Sequence, residues 1–373
     1  MADLYLKYLI IQTTENNKNL KFFFALLYIH FKGGSIMKKT CLFLAITVTS
    51  VLFMAGCGGM ENKKEPSGDT STPIIMKLGH GQTEAHPYHL GAQKFAELVS
   101  KYTNGTVKVD VHPNATLGAE RDMVEGVSMG TIDACITTNA PLTNFDSKFN
   151  VFEFPYLFKT REEAQKILDG KIGKNLLKGL ESRGIQGLGY FENGFRNVTN
   201  SKHEIKNVKD LSGLKIRTME SSIHVASFKA MGANPTPMNW GEVYTALAQG
   251  TIDGEENPPM AVLDGKIYEV NKFMSMTHHF YSPAELLMRK DLFDSMNDKQ
   301  KKGVQKAAEE ACKFEREQAE KFNTSKVDEL KKNGMQVTEV DDTSFADACQ
   351  QVYKDFDSQY GEQLRAVKSA LGR

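Results

Sequence analysis

Gly130-Thr131-Ile132-Asp133 and Gly250-Thr251-Ile252-Asp253 are the same four residues, 120 positions apart. An amphipathic helical pattern precedes each, Glu120 to Met129 before the first and a stretch carrying Val243, Tyr244 and Leu247 before the second. The spacing is too large for a solenoid repeat, so the echo reads as one helix–Gly–strand unit used twice, in two similar α/β lobes. A four-residue identity is weak alone, but the shared helix before it adds weight. Outward from the first copy, Ile74 to His80 is an apolar strand-like run. Pro87 opens a helix with Leu90, Phe95, Leu98 and Val99 on one face. Val107, Val109 and Val111 alternate as a half-buried strand does, and Thr131 to Thr138 reads as another strand. Strand–helix–strand succession implies parallel strands joined by crossover helices. Near the far end, Asp298 to Asn333 is one charged helical pattern with Val304, Ala308, Ala311 and Cys312 on a face, long enough to cross both lobes.

The chain has 373 residues, 46 basic and 46 acidic, 40% apolar and 25% charged. That is a globular composition. The zero balance conceals an asymmetry: residues 57–373 hold 40 basic against 44 acidic side chains. A mildly acidic body argues against binding a phosphate backbone. Met37-Lys38-Lys39, the apolar run Leu42 to Phe53 and Met54-Ala55-Gly56-Cys57 form a basic–apolar–small export pattern. It resembles a bacterial lipoprotein signal over 37–56, with Cys57 the lipidated residue and the protein held outside the cytoplasm on the cell membrane. An uncleaved membrane anchor is the alternative. Residues 1–36 read as a mis-assigned upstream extension, with Lys32-Gly33-Gly34 a purine tract read as codons; a genuine extension with an apolar patch, Phe22 to Phe31, is the rival. Residues 57–73 are polar and rich in Gly, Ser and Pro, a flexible tether with a reach of roughly 20–24 Å. Cys135, Cys312 and Cys349 read as buried free thiols, one disulfide remaining open, and no C-x-x-C occurs.

The chemistry-bearing candidates cluster in the second half. Leu214-Lys215-Ile216-Arg217 is a short strand ending in Arg. Ligands of open α/β sheets sit beyond the carboxyl ends of strands. An Arg there grips a carboxylate with two parallel hydrogen bonds; a surface salt bridge is the plainer reading. Asn257 ends the second Gly-Thr-Ile-Asp strand and reads as a ligand amide or a helix cap. Arg196 lies in Asn193-Gly194-Phe195-Arg196-Asn197, a Gly-broken stretch after the strand Ile185–Phe191, and suits a hinge as readily as a ligand. Trp240, the single Trp, suits a ligand wall or a core. An exported hydrolase or a metal-binding lipoprotein acting on a small anion is the rival class. No H-E-x-x-H occurs. His80, His86 and His89 could cluster on a metal, but Pro87 suggests that His86 begins the helix, and no metal or other cofactor is expected.

Gly213-Leu214-Lys215-Ile216-Arg217, Met231 to Met238, Glu242 to Gly250 and Asp253-Gly254-Glu255-Glu256-Asn257-Pro258 follow one another in an order that resembles DctP-type solute-binding proteins of tripartite ATP-independent periplasmic (TRAP) transporters. Leu117 to Arg121 and Phe154 to Phe158 fit the same pattern, and the resemblance spans about residues 74–370. It implies an α/β, two-lobed periplasmic-binding-protein fold with a central cleft, strands crossing between lobes and a long helix spanning both. Lobe I would be 74–194 plus 284–322, and lobe II 195–283 plus 323–373. It also implies a non-enzymatic role, capture of an organic acid anion for the small and large membrane subunits of the permease. Arg217 would hold the carboxylate, Arg196 and Asn257 would add polar contacts, and Trp240 would form an aromatic wall. Glu120, Thr138 and Asn139 would contribute from lobe I, and Glu84 and His86 would lie at the ligand's far end. Met219-Glu220 and Thr138-Asn139 depart from the pattern of sialic-acid binders. A sugar acid such as a uronate or aldonate fits slightly better than a C4-dicarboxylate, for which Arg121 would be the second cation.

Overall fold

The computed structural model describes residues 72–373. The upstream extension, the export signal, Cys57 and the tether up to residue 71 lie outside the described residues.

The duplicated unit is visible at atomic detail. In the first copy, β1 (Ile74–Gly79), α1 (Pro87–Tyr102), β2 (Val107–His112), α2 (Glu120–Met129) and β3 (Ala134–Thr138) alternate. β1 lies parallel to both β2 and β3. In the second copy, β5 (Lys215–Thr218), α3 (Ser222–Ala230), β6 (Asn234–Pro237), α4 (Trp240–Ala248) and β7 (Gly254–Asn257) do the same, with β5 parallel to β6 and β7. Gly130 and Gly250 end their helices at φ 80° and 67°. That left-handed conformation is open to Gly without the Cβ penalty. Thr131 and Thr251 then donate back to the carbonyls of Gly126 and Ala246 at 2.8 and 2.9 Å. Asp133 accepts from the Lys77 amide and Asp253 from the Lys215 amide, each at 2.9 Å. The Asp therefore ties the turn to the neighbouring strand. This is why β3 starts at Ala134 rather than at Thr131, where apolar content alone would begin it.

The two copies do not form separate sheets. One nine-stranded sheet runs β2-β1-β3-β8-β4-β7-β5-β6, with β9 (Gln336–Glu339) beside β8. Its centre is the antiparallel pair β4 (Ile185–Asn200) and β8 (Phe273–Arg289), strands of 16 and 17 residues that cross from one copy to the other. β4 runs past the expected end at Phe191. Its pairing shifts register between Glu192 and Gly194 and again between Arg196 and Val198, with Gly194 at φ 107°. Such bulges bend a strand and re-aim its side chains, and Arg196 lies between these two.

Helix α5 (Pro259–Asp264) follows β7, and α6 (Asp298–Lys332) supplies 35 unbroken residues, roughly 52 Å at 1.5 Å per residue. Asn297 and Gln300 cap its start reciprocally at 2.9 and 3.0 Å. Val304, Ala307, Ala308 and Ala311 pack with Phe95, Leu98 and Leu286 of the first half. Leu330, at the other end of α6, packs with Val243, Leu247 and Met274 of the second. The last helix, α7 (Asp357–Ala370), lays Tyr360, Leu364 and Val367 into a cluster with Phe149, Phe154 and Leu168. Cys135, Cys312 and Cys349 are buried free thiols.

Candidate functional site

The carboxyl ends of β1, β3 and β5 converge on a cavity of about 120 Å³ whose lining includes Gln82, Glu120, Arg121, Arg217, Met219 and Trp240. Arg217 is 3% exposed on β5. Its Nε and Nη2 donate to the Met238 carbonyl at 3.0 and 2.8 Å, and its guanidinium lies 5.9 Å from the Trp240 ring. No carboxylate of the described residues forms an ion pair with it. Burial, the main cause, lowers its pKa; Glu256, Glu255 and Glu120 pull the other way without touching it. One edge of the fork is thus fixed by a neutral carbonyl, and Nη1 is left for a ligand, together with the second hydrogen of Nη2.

Arg196 is as buried, but its Nε–Nη2 edge is paired with a carboxylate. Its Nε donates to Glu256 at 2.5 Å and its Nη2 at 2.9 Å, a bidentate pair of 1% and 0% exposed side chains. Burial opposes both charges, yet the pairing raises the pKa of Arg196 and holds Glu256 well below the usual carboxylate range. His279 adds a contact to Glu256 at 3.1 Å and has its own pKa lowered to about 4, mainly by burial. His224 lies between Glu153 and Glu256. Only Nη1 of Arg196 is without a partner.

Across the cavity, Glu120 at the start of α2 accepts from the Thr138 amide at 3.0 Å and the Thr138 hydroxyl at 2.5 Å. Burial raises its pKa, while Thr138, Arg217 and Arg196 counteract. Asn257 ends β7, buried, with its amide on Glu255 at 2.6 Å. Trp240 opens α4 against Gly265, where an added Cβ would lie 2.5 Å from its Cζ2. His86 is the N-cap of α1, its Nδ1 accepting from the Tyr88 amide at 3.1 Å, so Nε2 carries the proton. His80 meets His89 at 3.1 Å, and burial, first of all, lowers the pKa of both His80 and His86 to about 3. Among the described residues no group of three or more His, Cys, Asp or Glu could hold a metal.

Of the candidates, Glu120, Arg121, Arg217 and Trp240 line the cavity, whereas Arg196, Asn257, Thr138, His86, Glu84 and Asn139 do not. Asn139 is fully buried and turns into the core, its amide donating to the Phe149 carbonyl at 3.1 Å and to Glu153. Glu84 is exposed on the loop after β1. Arg121 stands at the rim, exposed, and meets Glu125 at 3.3 Å. Gln82, which lines the cavity, has a buried side-chain carbonyl without a partner and was not among the sequence candidates; the hydroxyls of Tyr88 and Thr218 are likewise buried without a partner. Buried polar atoms are rarely left so. Tyr88 follows Pro87 in the first turn of a helix at a strand's carboxyl end, a signal that could have flagged it. A larger groove, about 950 Å³, runs along α6, but its arginines are already paired, Arg161 with Glu192 at 2.6 Å and Arg316 with Asp169 at 2.7 Å.

A two-lobed α/β fold whose small cavity holds a buried arginine with a free edge defines a solute-binding protein of the periplasmic type. The profile of the family described as bacterial extracellular solute-binding protein, family 7 (DctP), matches residues 78–359. The chain belongs to this family, the solute-binding proteins of TRAP transporters, and is extracytoplasmic. It is 36% identical over 303 residues to the 2,3-diketo-L-gulonate-binding periplasmic protein YiaO of Escherichia coli (strain K12), covering 81% of this chain and 90% of that one. It is 32% identical over 306 residues to the C4-dicarboxylate-binding periplasmic protein DctP of Rhodobacter capsulatus, covering 80% and 91%. The crystal structure of a TRAP periplasmic solute-binding protein from Polaromonas sp. JS666 bound to D-erythronate superimposes with a TM-score of 0.77 at 40% identity, covering 79% of this chain and 98% of that one.

Proposed function

We propose that this protein captures a hydroxylated monocarboxylate, a sugar acid of the aldonate or uronate type, without transforming it, and delivers it to the small and large membrane subunits of a TRAP permease. One observation carries the reading: Arg217 and Glu120 face the same cavity, one with a free cationic edge and the other with carboxylate lone pairs. A carboxylate on Arg217 places the rest of the ligand toward Glu120, which accepts hydroxyl hydrogens and repels a second carboxylate. The D-erythronate complex of the Polaromonas relative and the diketogulonate-binding relative support this class. The dicarboxylate reading rests on the Rhodobacter relative and on Arg121, which is exposed and already beside Glu125.

The lobes divide as 74–194 with 284–322 and 195–283 with 323–373. α7 belongs to the second by chain order while packing against Phe149 and Phe154, so it braces the hinge. Cys57 carries the lipid, and several acyl chains there anchor the protein stably; mass spectrometry of membrane-extracted protein would find Cys57 acylated at the N-terminus. The test of the ligand class is calorimetry with D-erythronate, D-gluconate, D-glucuronate, succinate and malate. Preference for the hydroxy monocarboxylates supports the reading, and tighter binding of succinate or malate overturns it.

A further inference from the structure

We infer that Thr83 and Asp264 form a clasp between the two lobes that sets how long the cleft stays closed, independently of which solute it holds. The inference rests on the reading of the cavity as a closing cleft. Thr83 lies in the loop from β1 to α1, and Asp264 is the last residue of α5, after β7. Their parent strands are on opposite sides of the central pair β4 and β8. The residues are 181 positions apart, yet the Thr83 amide donates to one Asp264 oxygen at 3.3 Å and the Thr83 hydroxyl donates to the other.

Both ends of this contact are attached to the cavity. The loop that carries Thr83 also carries Gln82, which lines it. The residue after Asp264 is Gly265, against which Trp240 packs, and Trp240 lines the opposite wall beside Arg217. Opening the cleft by moving one half of the sheet away from the other must therefore break both Thr83–Asp264 hydrogen bonds as Trp240 leaves Gln82. A carboxylate accepting from an amide and a hydroxyl makes charge-assisted bonds, stronger than neutral ones. These bonds are made by no atom of the solute, so they stabilise the closed form equally for every ligand. Asn144, which donates to the Glu220 carbonyl at 3.3 Å, also joins the lobes, but through a neutral single bond.

Hydrogen bonds to a charged group at a half-exposed site correspond to about a tenfold change in affinity. Stopped-flow fluorescence of Trp240 with D-erythronate and D-glucuronate reads the clasp through dissociation. Asp264→Ala speeds dissociation of both acids by about tenfold and leaves their ranking and association rates unchanged. Asp264→Asn, which still accepts a hydrogen bond, falls between, and adding Thr83→Val to Asp264→Ala has little further effect. An effect confined to one acid would make Asp264 a ligand contact, and an unchanged dissociation rate with a lowered melting temperature of the ligand-free protein would make it a structural one; either overturns the clasp. A second arm needs no solute: with Thr83→Cys and Asp264→Cys, a short bis-methanethiosulfonate links the positions in the ligand-free protein if the lobes meet there. Failure to link overturns the clasp, whereas failure of the wild type to bind any acid overturns the sugar-acid reading alone.

Discussion

Arg196 and Arg217 lie two strands apart in the same sheet, equally buried, each with its Nε and Nη2 edge occupied. What occupies that edge makes them opposites. For Arg196 it is the Glu256 carboxylate, so the positive charge is cancelled in place. For Arg217 it is the Met238 carbonyl, which orients the guanidinium and leaves its charge uncompensated. A buried ion pair is costly to break because the remaining charge stays buried alone. A buried cation held only by a carbonyl costs the folded protein desolvation energy until an anion arrives. The first arginine is therefore architecture, and the second is the place proposed for the ligand carboxylate.

The largest effect expected from this contrast is on stability at Arg196. Arg196→Ala strands Glu256, and denaturant melts of the ligand-free protein should show a loss of about 3–5 kcal/mol; combining it with Glu256→Gln should recover part of that loss. At Arg217 the effect moves to binding. Arg217→Ala should weaken binding of a sugar acid by about 2–5 kcal/mol, and Arg217→Lys should remain severely impaired because the planar fork is gone. The ligand-free melting temperature of Arg217→Ala should equal or exceed that of the wild type, since removing an unpaired buried charge relieves desolvation. Equal destabilisation by the two alanine variants would erase the distinction.

Glu120 sharpens the comparison from the opposite wall. Removing its charge with Glu120→Gln should shift the ratio of succinate to D-erythronate affinity toward the dicarboxylate by about tenfold, since juxtaposed like charges cost several kcal/mol. The remaining effect is on pH dependence. His80 and His86 have folded pKa values near 3 against an ordinary 6.5, so the unfolded chain takes up their protons first as pH falls. Stability should be complete above pH 6.5 and decline below it, by at most about 1.4 kcal/mol per pH unit for each histidine. Glu256, whose folded pKa is depressed, adds its own loss only below its unfolded value of about 4.3. Urea melts between pH 8 and 4.5 of the wild type and of His86→Asn, which keeps an N-cap, should show a shallower slope for the variant.

The contrast also marks how much was legible in the sequence. The Gly-Thr-Ile-Asp echo exposed the duplicated unit because both copies need the same left-handed Gly and the same Asp-to-strand hydrogen bond, which are local requirements. Arg217 stood out in the sequence as a strand-end residue, whereas Glu120 was a candidate only through the family resemblance. The state of Arg196 was not, because Glu256 is 60 positions away and meets it only where bulges re-aim β4. Asn139 adjoins Thr138 in sequence yet turns the other way, toward Glu153, and Tyr88 gained meaning only once its hydroxyl was found buried without a partner. The single continuous sheet depends on pairing two strands about 90 residues apart, which no local pattern encodes.

A crystal structure of the complex with D-erythronate tests the central claim most directly. It should place the ligand carboxylate on Nη1 and Nη2 of Arg217, keep Glu256 on Arg196, and bring a ligand hydroxyl to Glu120. A carboxylate seated on Arg196 with Glu256 displaced, and Arg217 touching no carboxylate oxygen, would contradict it.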